Sequence, residues 1–320
     1  MTPIALENRL EARLKLKQLR LLVQAGEQHN ILRAAQLLNM AQPAATKIIR
    51  DLELALDVSL FDRSSRGVTP TLYGEVIIKH SKLILAQLRH VSEEIVSIKA
   101  GTTGKVTVGT LLAAAPILLP RSIIRLKQER PNVSFSVVEG TNDMLMPMLR
   151  VGDLDLVLGR LPEYSEREGL AQEVLYYGLV SIVARKNHPL TKRKSLTLAD
   201  LVHEDWILPP PQTSLRSQFD AEFLKAGFDP PPRAVESISS LSNHSLLLES
   251  DMLGVMPYHV VEALHGLVRL PINLKIGAGP VGITFRDNAD LTPAAASFVE
   301  VLRKVASEMA EVRGRPDRRL

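Results

Sequence analysis

Residues 31–51 constrain the chain more than any other stretch, because two short helical patterns flank a tight turn there. Ala34, Ala35, Leu37 and Leu38 set apolar side chains on one face of the first pattern, and Ala45, Ile48, Ile49 and Leu52 face them from the second. The pair has the form of a helix-turn-helix. Asn30 precedes the first helix with a side-chain oxygen able to accept from its unpaired amides. Pro43 suits the first turn of the second helix, where a missing N–H costs nothing. The outward face of that helix carries Gln42, Thr46, Lys47 and Arg50. Side chains of these types reach base edges and phosphates, as a helix lying in a major groove requires.

Leu60-Phe61-Asp62-Arg63 and the run from Ser64 to Pro70 read as two extended pieces about a turn that Gly67 and the serines can make. Such a hairpin beside the helices is a wing, and Arg63 and Arg66 sit where its tip would touch a phosphate backbone. From Thr71 to Lys99 the pattern is helical over roughly 43 Å at 1.5 Å per residue. Ile77, Ile84, Val91 and Ile98 recur at heptad spacing, with Leu88 and Ile95 completing a two-position seam. A seam of this kind predicts pairing with the same helix of a second copy.

After Gly101-Thr102-Thr103-Gly104, which reads as a joint, strands and helices alternate. Lys105–Thr110, Val133–Glu139 and Asp155–Gly159 read as strands separated by helices over Pro116–Glu129 and Thr141–Val151. A second series follows: strands at Leu179–Ala184, Trp206–Leu208, Ala234–Ser237 and Gly254–Met256, with helices at Ser214–Ala226 and Ser240–Glu249. Val281–Phe285 and the helix from Thr292 to Glu308 return to the first series. The alternation predicts parallel sheets covered by helices, arranged as two lobes hinged near residues 175–179 and 270–276. Ligands of open α/β sheets bind beyond the carboxyl ends of strands. That rule nominates Thr110, Leu111, Thr141, Asn142, Arg160, Thr213 and Ser214, with Ser237 and Ser239 from the opposing lobe. Their polarity suits a small hydroxylated or anionic ligand, although each Ser or Thr would equally serve as a helix cap.

The chain of 320 residues exceeds a typical single domain and is 45% hydrophobic, ample for packed cores. Residues 1–100 hold 14 Lys and Arg against 10 Asp and Glu, and the remainder holds 25 against 25, so the whole +4 excess is N-terminal. That placement fits phosphate contact. With no cysteine there is neither a disulfide framework nor a thiolate metal site. Met1–Leu16 is charged throughout, unlike a secretory signal, and no apolar run is long enough to cross a bilayer, so a cytoplasmic location is expected. The eight histidines show no metal-ligand spacing, no nucleophile elbow occurs, and Gly104-Lys105 lacks the spacing of a phosphate loop. No catalytic residue, metal or cofactor is therefore expected. Asp153 and Asp155 form a close acidic pair, and Arg313, Arg315, Arg318 and Arg319 read as a solvated tail. A solute-binding protein with helices used only for assembly, and an enzyme working in the interlobe cleft, are the rival readings.

Residues 17–74 resemble the N-terminal domain of the LysR-type transcriptional regulators. The likeness rests on Leu19-Arg20-Leu21-Leu22, Arg33-Ala34-Ala35, Leu37-Leu38, Gln42-Pro43-Ala44, Ile49-Arg50-Asp51-Leu52-Glu53, Leu60-Phe61-Asp62-Arg63 and Thr71 to Gly74. Two departures stand out: Ala41 replaces the usual capping Ser or Thr, and His29-Asn30 replaces the usual Gly-Ser. The resemblance extends more weakly over residues 104 to about 305. It implies an N-terminal all-α winged helix-turn-helix over 15–74 and a linker and dimerisation helix over 71–99. A C-terminal α/β two-lobed domain like periplasmic binding proteins would follow over 104–310, with lobe I at 104–175 and 276–310 and lobe II at 176–270. It further implies that Arg33, Gln42, Pro43, Ala44, Thr46, Lys47, Arg50, Arg63 and Arg66 face double-stranded promoter DNA. The implied partners are a small effector between the lobes, a second copy through the linker helix, a homotetramer, and RNA polymerase, with no membrane. Thr69–Glu75 is similar to regulators of sugar uptake and aromatic-acid breakdown, which points to a sugar or an organic or aromatic acid as effector.

Overall fold

The computed structural model describes residues 6–7, 9–11, 14–64, 67–99, 104–162, 169–272, 279–287 and 291–313. The backbone divides into two compact units, Met1–Val96 with Val151–Asp153, and Ser97–Arg150 with Leu154–Leu320.

The N-terminal unit is built from α1 (Leu16–Gln28), α2 (Ile31–Leu37), α3 (Gln42–Leu56), strands β1 (Phe61–Ser64) and β2 (Gly67–Pro70), and the long α4 (Leu72–Lys99). Its core joins Leu21, Leu22 and Ala25 of α1 to Ala34 and Ala35 of α2 and to Ala45, Ile49 and Leu52 of α3. Small residues at the crossing let the three helices approach closely. Leu37 departs from the sequence reading: it is 55% exposed, because the core-facing face of α2 ends one turn earlier at Ala34 and Ala35. Asn30 caps α2 by accepting from the Arg33 amide at 3.1 Å. Asn39 holds the turn into α3 with a φ of 50°, a conformation that Asn tolerates better than most residues.

β1 and β2 pair antiparallel from Phe61 opposite Pro70 to Ser64 opposite Gly67. The wing is tied to the helices through β2, where the Val68 amide donates to His29 O at 2.9 Å. Gly67 has a φ of 131°, and a Cβ there would collide with that same carbonyl. Thr71 starts α4: its hydroxyl accepts from the Gly74 amide at 3.1 Å and donates to Ser59 O at 2.7 Å.

The C-terminal unit holds two five-stranded sheets. The first contains β3 (Lys105–Thr110), β4 (Ser134–Glu139), β5 (Leu156–Arg160), β6 (Leu170–Gly178) and β12 (Gly279–Arg286), in the order β4-β3-β5-β12-β6. Helices α5 (Leu118–Glu129) and α6 (Asn142–Arg150) connect its first strands. The second contains β7 (Val180–Arg185), β8 (Trp206–Leu208), β9 (Ala234–Glu236), β10 (Leu253–Pro257) and β11 (Leu267–Arg269), ordered β11-β7-β10-β8-β9. There α7 (Ser214–Lys225), α8 (Ser240–Glu249) and α9 (Tyr258–Ala263) complete the lobe, and α10 (Pro293–Arg313) packs back on the first.

The sheets are mixed, which corrects the expectation of wholly parallel ones. β3 runs parallel to β4 and β5, and β8 parallel to β9 and β10, but β12 is antiparallel to β5 and β6, and β7 antiparallel to β10 and β11. The physical reason is the two crossings between lobes: β7 enters the second sheet from the first lobe and β12 enters the first sheet from the second, so each runs against its neighbours. The strand β6 occupies Leu170–Gly178, directly before the crossing. Gly101–Thr103 of the joint, residues 273–276 of the second crossing, and Arg315, Arg318 and Arg319 lie outside the described residues.

Each lobe has its own core. Phe298 of α10 meets Phe135 of β4 at 4.9 Å between ring centres, and in the other lobe Trp206 meets Phe219 at 4.8 Å. Asp155, from the acidic pair, is buried and accepts from the Thr107 amide at 2.7 Å. It is thereby a strand-joining group.

Candidate functional site

The exposed face of α3 is one of two surfaces the fold prepares. Burial of Ala45, Ile49, Leu52 and Leu56 turns Gln42, Pro43, Ala44, Lys47 and Arg50 to solvent, while Thr46 is half-buried. Gln42 reaches back to the Thr46 hydroxyl at 3.4 Å. Ala41 is the N-cap and supplies no side-chain acceptor, so the first amides of α3 stay available and Pro43 removes one of them. Arg33 is exposed on α2. Arg63 departs from the picture of a free wing-tip cation: its guanidinium pairs with Glu53 Oε2 at 3.4 Å. Arg66 lies outside the described residues.

Glu53 is the residue the sequence reading undervalued. Its Oε1 accepts from the amides of Leu60 and Phe61 at 2.9 and 3.2 Å, and its Oε2 faces Arg63. One carboxylate therefore sets the angle between α3 and the wing. A glutamate eight residues before a strand, followed by an arginine in that strand, is the signal that would have found it.

Along α4 the heptad positions divide. Ile77 packs on the core of its own domain, which corrects its assignment to a seam with another chain. Ile84 (43%), Leu88 (38%), Val91 (51%) and Ile95 (50%) are exposed. The Ile98 side chain lies outside the described residues. Gly26 of α1 permits the approach of α4, since a Cβ there would lie 2.7 Å from Ile78 Cδ1.

The second surface is a cavity of about 280 Å³ between the lobes of the C-terminal unit. The carboxyl ends of both sets of parallel strands open onto it. Leu111 follows β3, Thr141 and Asn142 follow β4, Arg160 ends β5, Pro209 to Ser214 follow β8, and Ser237 follows β9. Seven of the nine nominated residues are thus brought together: Leu111, Thr141, Asn142, Arg160, Thr213, Ser214 and Ser237 line the cavity.

Thr110 and Ser239 do not. Thr110 is buried with its hydroxyl turned to Leu111 O at 3.4 Å, and Ser239 caps α8 by accepting from the Ser242 amide at 3.2 Å. Thr213 does both jobs, capping α7 through the Arg216 amide at 3.3 Å while lining the cavity.

Several wall residues had no sequence signal: Glu139, Asp143, Leu161, Gln212, Asn243 and Met256. Glu139 accepts a hydrogen bond from Ser240 on the facing lobe at 3.2 Å. Arg160 is held flat over Gly279, where a Cβ would collide with its Nη1. Burial pushes the Arg160 guanidinium below the usual arginine value, which is still far too high for it to lose its charge.

Among the described residues no cluster of His, Cys, Asp and Glu could hold a metal ion, and no helix is long and apolar enough to cross a membrane. Residues 16–75 match the family described as "Bacterial regulatory helix-turn-helix protein, lysR family", and residues 99–307 match "LysR substrate binding domain". The chain belongs to the LysR family. This LysR protein is 35% identical over 298 residues to the HTH-type transcriptional regulator GbpR of Azospirillum brasilense, covering 92% of this chain and 87% of that one. It is 32% identical over 308 residues to PcaQ of Agrobacterium fabrum, covering 95% and 99%. Among solved structures it resembles CbnR, a LysR family transcriptional regulator, with a TM-score of 0.63 at 21% identity over 92% of this chain and 99% of that one. The structure of full-length CbnR complexed with its target DNA gives a TM-score of 0.62 at 21% identity, covering 91% and 100%. At that identity the likeness is one of fold. As a LysR-type regulator, this chain is a DNA-binding transcriptional regulator with an effector-binding domain.

Proposed function

We propose that the exposed face of α3 enters the major groove of promoter DNA, with Gln42 and Thr46 at base edges and Lys47 and Arg50 on base edges or phosphates. The carrying observation is the division of α3 into a buried apolar face and an exposed face holding Gln42, Lys47 and Arg50 beside an uncapped N-terminus. Pro43 and Ala44 keep the approach of the backbone to phosphates short, and Arg33 and Arg66 add further contacts to the DNA. Arg63 acts from its pair with Glu53 and so steadies the wing.

Ile84, Leu88, Val91 and Ile95 pair α4 with that of a second copy, because an exposed seam of this length is satisfied by a partner helix. Two such pairs form a homotetramer, and the regulator works in the cytoplasm, where its DNA is, with RNA polymerase as a further contact.

The interlobe cavity holds the effector. A ligand touching both lobes binds one lobe arrangement better than another, and only that difference moves the equilibrium. The test is a salt-titrated gel shift on the promoter DNA adjoining the gene. Retardation that weakens steeply with salt and is lost in Arg50→Ala is expected. Affinity unchanged by Arg50→Ala at physiological salt would overturn the reading.

A further inference from the structure

The lining of the interlobe cavity is uneven in a way that specifies its occupant. Among the described residues Arg160, half-buried, is the one cation on the wall. Against it stand acceptors: the carboxylates of Glu139 and Asp143, and the side-chain oxygens of Asn142 and Asn243. Those two amide oxygens are buried and have no hydrogen-bond partner among the described residues. Asn243 is only 5% exposed, and its Nδ2 donates to Ser237 O at 3.4 Å, which leaves the oxygen as the unsatisfied end. The two asparagines belong to opposite lobes, each in the first turn of its helix, α6 and α8.

A buried acceptor without a donor is costly, and two in one cavity, one from each lobe, call for donors from a ligand. Amides and ammonium groups also donate, but a cationic ligand would meet Arg160. The N-termini of α6 and α7, at Asn142 and Ser214, open onto the cavity and add their positive field to the charge of Arg160, which favours an anion. A second negative charge would face Glu139 and Asp143. The volume, about 280 Å³, falls just below the roughly 300–1,000 Å³ of ligand pockets, so the occupant is a small metabolite.

We propose that the cavity takes a small hydroxylated monocarboxylate, its carboxylate on Arg160 and its hydroxyls donating to Asn142 and Asn243, one on each lobe. The inference rests on reading the cavity as the effector site. The hydroxyls join the lobes, so they carry closure as well as specificity. Leu111, Pro209 and Met256 supply apolar contact for either an aliphatic or an aromatic frame.

The experiment is calorimetric titration of the full chain with two matched series. One is gluconate with sorbitol (no carboxylate), hexanoate (no hydroxyl) and glucarate (two carboxylates). The other is a dihydroxybenzoate with catechol and benzoate. The expected result is that at least one hydroxy-monocarboxylate binds tenfold or more tighter than every counterpart in its series, which also identifies the frame. Arg160→Gln should abolish that preference. Asn243→Ala should weaken the hydroxylated ligand about tenfold while leaving hexanoate or benzoate unchanged, a split that general damage to the lobe would not produce. Equal binding of a counterpart, indifference to Arg160→Gln, or no binding in either series overturns the proposal. A footprint on promoter DNA separates the two levels. Binding of the stated class with no change in the footprint removes the effector reading and leaves the ligand assignment standing. A footprint that responds to an uncharged or dianionic compound does the reverse.

Discussion

Replacing Glu53 with alanine removes the carboxylate that joins α3 to the wing, and the cost can be worked from its partners. The amides of Leu60 and Phe61 lose their acceptor, and both residues are buried. An unsatisfied buried N–H costs about 1–3 kcal/mol, and partial access of water to the gap keeps each near the lower end, for a total of about 2–4 kcal/mol. The ion pair to Arg63 adds little, since Arg63 is 43% exposed and surface pairs contribute about 0–1 kcal/mol. For a domain of this size, about 4–8 °C of melting temperature accompanies each kcal/mol, so the N-terminal transition should fall by roughly 8–32 °C in scanning calorimetry. Hydrogen exchange at Leu60 and Phe61 should accelerate, and DNA affinity should fall with the loss of the wing angle. Glu53→Gln keeps an oxygen acceptor for both amides and loses only the charge, so it should recover most of the stability. A Glu53→Ala protein that melts with the wild type, or a Glu53→Gln protein as damaged as the alanine variant, would refute the reasoning.

Arg50→Ala should weaken promoter binding and, where Arg50 meets a phosphate, lower the slope of log affinity against log salt by about 1 in gel shifts across salt concentrations. Leu88→Lys with Val91→Lys should place charges in the α4 seam and yield monomers by light scattering, and an unchanged mass would exclude that seam as the pairing surface. Gly279→Ala should displace the Arg160 guanidinium, costing about 1–3 kcal/mol in C-terminal stability and weakening carboxylate binding in calorimetry. The Glu173 carboxyl is held below the usual range by hydrogen bonds from Arg303, so its contribution is present above the unfolded value of about 4.3 and is lost as pH falls through the lower folded value. In acid melts the stability gap between wild type and Glu173→Gln, about 1 kcal/mol or less for such an exposed pair, should therefore hold above about pH 5 and close below it.

The N-terminal elements were readable because their determinants are local. Asn30, Pro43 and Thr71 each act on amides within a few residues, and the apolar faces follow a single period. Ile77 could not be sorted from Ile84 by heptad position alone, because what separates them is where the domain core ends along α4. In the C-terminal unit the alternation of strands and helices revealed the lobes, whereas the antiparallel entry of β7 and β12 depends on which sheet each strand joins after a crossing. Strand ends identified most of the cavity wall. Thr110 and Ser239 were misassigned because a polar residue at a strand end or helix start is as often turned to the backbone as to a ligand. Asn243 escaped notice because it lies within a helix, and only the packing of one lobe against the other brings it to the cavity.

The account turns on the outward face of α3 lying in the major groove. Dimethyl sulfate footprinting of guanine N7, an atom exposed in that groove, tests this most directly on promoter DNA, with the wild type beside the Lys47→Ala, Arg50→Ala double variant. Protection of guanines by the wild type, lost in the variant while its dimer persists, is the predicted result. Binding of equal strength by both proteins with no N7 protected by either would contradict it.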